Sequence, residues 1–402
     1  MTEGRILFVT GPGGDGTSTV AAATALAAAR GGDAVATLLL STESPTRLAA
    51  LLGAAPPAWP GPPADVVPGL QAARIDSGRA FRGGMLAAQR WAGPALDALG
   101  ATALDDDELT ELPGAAELAV LRALREAGQA GHWDLIVADL PPATEAIRLL
   151  ALPEQLRRYL RRLLPRERQT ARALRPMLAQ LIGVPLPAQS LFEAADRWDG
   201  ALGVLQELVQ GPGAAVRLVA EPTARAAAML RASLAGLALH GLAVEGLVAN
   251  RLLPAEGAGP WAAGLAERQR AVLGDLAAAR EELPPLAELP HLGRDVDAAG
   301  VPRLAALLPP PAPPRRAAPE LEDRLRAEGL LLWHLPLPGA VREELGLVRR
   351  GDELLVTTGP FRRALALPAA LRRCDVTGAR LDEGGRLTVR FTPDEARWPA
   401  RS

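Results

Sequence analysis

The sequence predicts an α/β protein with a doubly wound, mostly parallel sheet, a helical insertion and a small C-terminal all-β sandwich. A buried strand, a glycine-rich loop and an alanine-rich helix follow one another between Arg5 and Arg30. Strands and helices then alternate, and short alternating segments follow a proline-rich stretch. The expected domains are 1–308 for the α/β unit, 309–329 for a stiff linker with a short helix around 320–328, and 330–396 for the sandwich.

The composition favours helices that pack through small aliphatic side chains. Of 402 residues, 49% are hydrophobic but only 3% are aromatic, so alanine and leucine fill most of the core. The net charge of −2 offers no overall attraction to nucleic acid or to an anionic membrane. Cys374 is the only cysteine and the four histidines are dispersed, so we expect no disulfide and no zinc site. We expect no leader and no transmembrane segment, and hence a cytoplasmic protein.

The loop after the first strand has the composition of an anion-binding site. It reads Gly-Pro-Gly-Gly-Asp-Gly-Thr-Ser-Thr over residues 11–19. Its glycines allow consecutive backbone N–H groups to turn inward, and the following helix adds the positive end of its dipole. We therefore predict that an anion, such as a phosphate group, binds here.

This loop resembles the deviant Walker A motif, Gly-Lys-Gly-Gly-Val-Gly-Lys-Thr-Thr, of the ArsA-type ATPases. That family of P-loop NTPases includes arsenical pump ATPases and ATPases that target tail-anchored membrane proteins. The resemblance implies a nucleotide site formed by Gly11, Gly13, Gly14, Gly16, Thr17, Ser18 and Thr19, with the Ser18 hydroxyl on Mg²⁺. It also implies that Pro12 and Thr17 stand where the family has its two lysines. The chain contains no lysine, but a general change to arginine would have kept both charges, so we predict a degenerate Walker A loop.

Three later positions extend the resemblance. Glu43 stands where the family has the aspartate that orients the attacking water, and is a candidate catalytic residue. Asp139 ends an apolar strand as a Walker B carboxylate does, and is a candidate Mg²⁺ ligand together with Ser18. Asn250 matches the asparagine that contacts adenine. Arg47 is the nearest cation that could replace part of the missing lysine charge.

Two other regions match the family in outline. Residues 155–210 interleave arginines with leucines, at the place of the helical subdomain that lines a client groove in targeting members. Residues 330–396 resemble the small heat-shock (α-crystallin-like) sandwich appended to some ArsA-type ATPases. Both regions are candidate surfaces for a client or partner protein.

The resemblance implies a homodimer that binds ATP or ADP with Mg²⁺. Because both lysines are absent and Glu145 stands at the family's second switch, we predict weak hydrolysis or none. The alternative is a pseudo-ATPase chaperone or scaffold that binds a client without nucleotide turnover. A partition-type ATPase acting on DNA shares the loop, but it should carry a basic surface and lack the C-terminal sandwich.

Overall fold

The computed structural model describes residues 4–31, 35–100, 102–163, 188–254, 259–278, 284–314 and 316–394. Within them the main domain is an eight-stranded sheet in the order β3-β4-β2-β5-β1-β6-β7-β8. The strands are β1 Arg5–Thr10, β2 Thr37–Ser41, β3 Ala64–Val67, β4 Leu70–Arg74, β5 Leu135–Asp139, β6 Ala214–Ala220, β7 Val244–Leu252 and β8 Leu286–Pro290. Only β3 pairs antiparallel with its neighbour, which confirms the predicted doubly wound, mostly parallel sheet.

Helices cover both faces of this sheet. They are α1 Thr17–Ala29, α2 Pro45–Leu52, α3 Ser77–Leu99, α4 Ala115–Ala130, α5 Ala143–Leu163, α6 Ala188–Gln210, α7 Ala224–Leu239, α8 Pro260–Ala278 and α9 Val301–Ala305. Alternate residues of β1 enter different cores, with Phe8 in one cluster and Leu7 in the other. Burial on both faces explains why the strand sequences are continuously apolar. None of the helices in the described ranges is long and apolar enough to cross a membrane.

Strand order places the glycine loop where ligands bind in this class of fold. Strand β1 lies between β5 and β6, so the chain reverses its direction of progress across the sheet at β1. Loops at the carboxyl ends of the strands on either side of such a switch point leave a crevice. The loop after β1, Glu43 after β2 and Asp139 at the end of β5 therefore meet at one edge.

Helices α5 and α6 form the described part of the predicted helical subdomain. They pack side by side, and Arg157 Nε of α5 donates to Asp199 Oδ1 of α6 at 3.1 Å. The central part of the predicted 155–210 region, residues 164–187, lies outside the described residues. Tyr159, Leu163 and Trp198 are exposed large apolar side chains on these two helices.

The C-terminal unit is built from two antiparallel sheets, which confirms the predicted sandwich. Its elements are β9 Glu320–Arg324, α10 Leu325–Glu328, β10 Leu330–Pro336, β11 Leu345–Arg350, β12 Glu353–Thr358, β13 Phe361–Ala366, β14 Cys374–Leu381 and β15 Arg386–Pro393. One sheet has the order β14-β15-β10-β9 and the other β11-β12-β13. Cys374 is buried in this unit.

The prediction of a helix before the sandwich was wrong for the first half of that segment. Residues Glu320–Arg324 form an edge strand that pairs antiparallel with β10, and only Leu325–Glu328 is helical. Glutamate, leucine and arginine favour helix locally, but pairing with the following strand β10 overrides that preference. His334 of β10 supports the pairing, because its Nε2 lies 3.0 Å from Glu322 Oε2.

The sandwich packs directly on the α/β domain. Arg158 of α5 pairs with Glu353 of β12 at 2.6 Å, and Arg363 of β13 pairs with Glu154 of α5 at 2.9 Å. Phe361 of β13 lies against Gly236 of α7, where a methyl group on the glycine would overlap the ring. One hydrophobic cluster runs through both units.

The proline-rich segment, which the sequence predicts to be a stiff linker, is hydrogen-bonded to the surface of the α/β domain. Its prolines lack N–H groups, but their carbonyl oxygens still accept hydrogen bonds. Arg217 donates to Pro309 O at 3.3 Å and Arg5 donates to Pro311 O at 3.2 Å. Arg316 donates to Gln210 O at 2.7 Å. Two arginines of the sheet and one of the segment itself thus hold the segment to the domain surface.

Candidate nucleotide site

The glycine loop has a backbone conformation that is energetically unfavourable for residues other than glycine. Gly13, Gly14 and Gly16 have φ of 104°, 82° and 86°, in the left-handed region that favours glycine. Gly11 is required for a different reason, because a Cβ there would overlap the carbonyl oxygen of Val219 on β6. Left-handed glycines in a loop that leads into a helix are typical of backbone anion-binding sites.

A cavity of about 360 Å³ opens above this loop. Its lining residues are Gly13, Gly14, Gly16, Thr17, Ser18, Thr19, Thr42, Glu43, Arg47, Asp139, Leu140, Pro141, Pro142 and Arg251. The structure therefore brings together all but two of the predicted site residues. Gly11 lies behind the loop, and the Asn250 amide is turned to its underside, where Nδ2 donates to Asp15 O at 2.7 Å. The adenine contact of Asn250 stays a prediction.

Oxygen ligands cluster at one end of the cavity. Ser41 Oγ donates to Asp139 Oδ2 at 2.6 Å, and the Ser18 hydroxyl also bonds to Asp139. Ser18 Oγ lies 3.5 Å from Glu43 Oε2. Mg²⁺ takes hard oxygen ligands and is commonly held by one or two carboxylates together with phosphate oxygens. The hydroxyl and carboxylate oxygens of this cluster fit that ion. The described ranges contain no metal-binding group made of three or more His, Cys, Asp or Glu side chains.

The carboxyl group of Asp139 is hard to ionise. It is buried, and the loss of hydration raises its pKa to about 6, against the hydrogen bonds from Ser41 and Ser18. An unfolded aspartate has a pKa near 3.8. The folded protein binds this proton more tightly than the unfolded chain does. The protonated carboxyl group therefore adds to the free energy of unfolding below pH 3.8, and this contribution is lost as the pH rises to about 6.

Asp139→Asn is therefore expected to stabilise the protein at pH 8 by about 3 kcal/mol, since it removes a buried charge but keeps the acceptor for Ser41. The gain should vanish near pH 4. Urea unfolding of both proteins with EDTA between pH 4 and 8 measures it. A gain of constant size over this range would contradict the assignment of the cost to ionisation of Asp139.

Two arginines line the cavity, and one of them was not predicted. Arg47 Nη2 donates to Thr19 Oγ1 at 3.1 Å, so this side chain contacts the end of the loop. Arg251 Nη1 donates to Gly14 O at 2.8 Å. The sequence signals for Arg251 were its position directly after Asn250 and its match to the arginine of the family's strand pattern. A strand pattern gives no sign that two successive residues both face the loop.

A parallel sheet with a glycine loop at its switch point, a helix starting from that loop and a carboxylate on the adjacent strand define a P-loop NTPase. Residues 4–307 match the model of the anion-transporting ATPase family ArsA, and residues 329–391 match that of the HSP20-like domain found in ArsA. The chain belongs to the ArsA ATPase family and carries its HSP20-like C-terminal domain.

Similar proteins come from several bacteria. An uncharacterised protein of Streptomyces coelicolor is 52% identical over 98% of this chain and 99% of its own length. A protein of Mycobacterium tuberculosis is 32% identical over 99% of this chain and 98% of its own. An Aquifex aeolicus protein, provisionally named arsenical pump-driving ATPase 1, is 24% identical over 69% of this chain and 72% of its own.

Proposed function

We propose that this protein is a homodimer that binds ATP or ADP with Mg²⁺ in the cavity above residues 11–19. The observation that carries the proposal is the run of left-handed glycines at the start of α1, a geometry suited to phosphate oxygens. The cavity volume of about 360 Å³ is within the range of small-ligand sites.

The oxygen cluster fits Mg²⁺ next to the phosphates. Ser18 and Asp139 would hold the ion, with Glu43 beside them, and bound Mg²⁺ would neutralise negative charge on the phosphate oxygens. Ser41 keeps Asp139 in place through its hydrogen bond at 2.6 Å. Near neutral pH the Asp139 carboxyl group, with its pKa of about 6, is mostly ionised and able to bind a cation.

We propose weak hydrolysis or none, because the parts that favour the transition state are missing. Pro12 and Thr17 carry no charge. At the start of α5, the Ala143 amide donates to Gly11 O at 2.8 Å, and a methyl side chain there offers no donor to a terminal phosphate. Bound nucleotide would then stabilise the fold, or would change the state of the protein only as slowly as it is hydrolysed.

A client or partner protein is the second part of the proposal. The exposed Tyr159, Leu163 and Trp198 on α5 and α6 support it, because large apolar side chains in contact with solvent are common at interaction sites. Helix α5 begins beside the glycine loop and reaches the sandwich. It could therefore couple nucleotide binding to partner binding. Thiol-based arsenite binding is not proposed, since Cys374 is the only cysteine and is buried.

The alternative is a pseudo-ATPase scaffold that binds a client without nucleotide turnover. Calorimetric titration with ATP and ADP in Mg²⁺ buffer tests the nucleotide binding that we propose. We expect binding by the wild type, and Thr17→Lys should tighten ATP binding by about 1–3 kcal/mol through a new charge-assisted bond. Thr17→Gln adds comparable length without charge and should not. A folded protein that binds neither nucleotide, with or without the lysine, would contradict the proposed site.

A further inference from the structure

Strand β7 contains a bulge at its carboxyl end. Its pairing with β8 shifts between Ala249 and Leu252. Within the bulge Arg251 has a φ of 60°, and it is the only non-glycine residue in the described ranges with a positive φ. Such a conformation is unfavourable for a residue with a Cβ, and it is found preferentially at functional sites. Bulges also re-aim side chains beside active sites.

The bulge is held by a dedicated side chain. Gln269 of α8 is buried, and its Oε1 accepts from Leu253 N at 2.9 Å. Its Nε2 donates to Arg251 O at 3.1 Å. One carboxamide thus satisfies backbone groups on both sides of residue 252 that the sheet no longer pairs. The conformation of Arg251 is therefore imposed by its surroundings.

The guanidinium of Arg251 lines the phosphate cavity. Its Nη1 donates to Gly14 O at 2.8 Å and lies 3.6 Å from Glu221 Oε2. In the described residues Nη2 and Nε of Arg251 make no hydrogen bond, and the side chain is 40% exposed. By contrast, Arg47 uses Nη2 on Thr19 and Nη1 on Val296 O at 3.5 Å. A guanidinium has five N–H donors, of which Arg251 uses one and Arg47 uses two, so Arg251 has more donors left for a ligand.

We propose that Arg251 is the phosphate-binding cation of this site, in place of a lysine in the glycine loop. This inference rests on the proposed nucleotide binding and adds a specific residue to it. A guanidinium is always charged, and its planar fork of N–H donors matches two oxygens of a phosphate. The hydrogen bond to Gly14 O holds the guanidinium beside the glycine loop. A residue of β7 would thus supply the positive charge next to the bound phosphates.

Two substitutions of Arg251 distinguish the effect of its charge from the effect of its hydrogen bond to the glycine loop. Both Arg251→Gln and Arg251→Lys keep a donor for Gly14 O, but only lysine keeps the charge. Arg225→Gln is the matched control, because the charge of Arg225 also acts to lower the pKa of Asp15 but Arg225 does not line the cavity. Calorimetry with ADP and with inorganic pyrophosphate, at two salt concentrations, gives the affinities, and circular dichroism melting shows that each variant is folded.

Arg251→Gln is expected to weaken ADP and pyrophosphate binding by about 10- to 100-fold, and to reduce the salt dependence of the affinity. Arg251→Lys should lose less than about tenfold and keep the salt dependence, and Arg225→Gln should stay within about twofold. Wild-type affinity in folded Arg251→Gln, or a loss with unchanged salt dependence, would overturn this inference and leave the proposed function intact. Failure of the wild type to bind either probe would overturn both.

Discussion

ATP hydrolysis by this protein is expected to be at least about 10³-fold slower than hydrolysis by ArsA-type enzymes that carry both loop lysines. In phosphoryl transfer, a single arginine supplied to the transition state contributes about 10³- to 10⁵-fold in rate. Here positions 12 and 17 hold proline and threonine. Arg251 is restrained by Gly14 O and by the bulge. In the proposed site it would bind substrate and transition state to a similar degree, and would therefore do little for the chemical step.

A steady-state assay with Mg²⁺ and ATP tests this expectation. Asp139→Ala is the control for contaminating ATPases, since it removes the candidate metal ligand at the end of β5. A residual rate that is equal in both proteins agrees with the prediction. Turnover at the rate of an ordinary ArsA-type enzyme, abolished by Asp139→Ala, would instead show that the site is catalytic without either lysine.

Arg217→Met is expected to destabilise the protein by about 3–5 kcal/mol, because it leaves a buried carboxylate without its partner. Arg217 Nε of β6 lies 2.5 Å from Glu245 Oε1 of β7, and the two side chains are 2% and 3% exposed. The same guanidinium donates to Thr24 Oγ1 of α1 at 3.1 Å and to Pro309 O at 3.3 Å. Glu245 Oε2 accepts from Ala312 N at 3.2 Å. This pair therefore joins the sheet, α1 and the proline-rich segment.

Urea unfolding measures the loss of stability, and limited proteolysis of residues 309–319 measures release of the segment. Arg217→Met/Glu245→Gln should be more stable than Arg217→Met alone, since glutamine has no charge and still accepts from Ala312 N. Arg386→Met is the matched control, because Arg386 pairs with Glu320 at 2.7 Å on the exposed surface, where ion pairs contribute little. Equal stability of Arg217→Met and Arg386→Met would refute the role assigned to the buried pair.

The strands, the first helix and the glycine loop could be predicted because their signals are local. Continuous apolar runs mark strands that are buried on both faces, and the glycines of the loop follow one of them directly. The strand ends then place Ser18, Glu43 and Asp139 at one edge of any parallel sheet with this order. Most of the candidate site thus follows from the order of elements along the chain.

The sequence by itself determined the fold class, the family resemblance and the absence of lysine from positions 12 and 17, since each of these is read from neighbouring residues. Only the tertiary structure decided that 320–324 is a strand, that the proline-rich segment is bound to the domain and that Arg251 lines the cavity. These three depend on partners between 6 and 306 positions away in the chain. Local propensity carries no information about such partners, because strand pairing, buried ion pairs and bulges arise only when distant segments pack together.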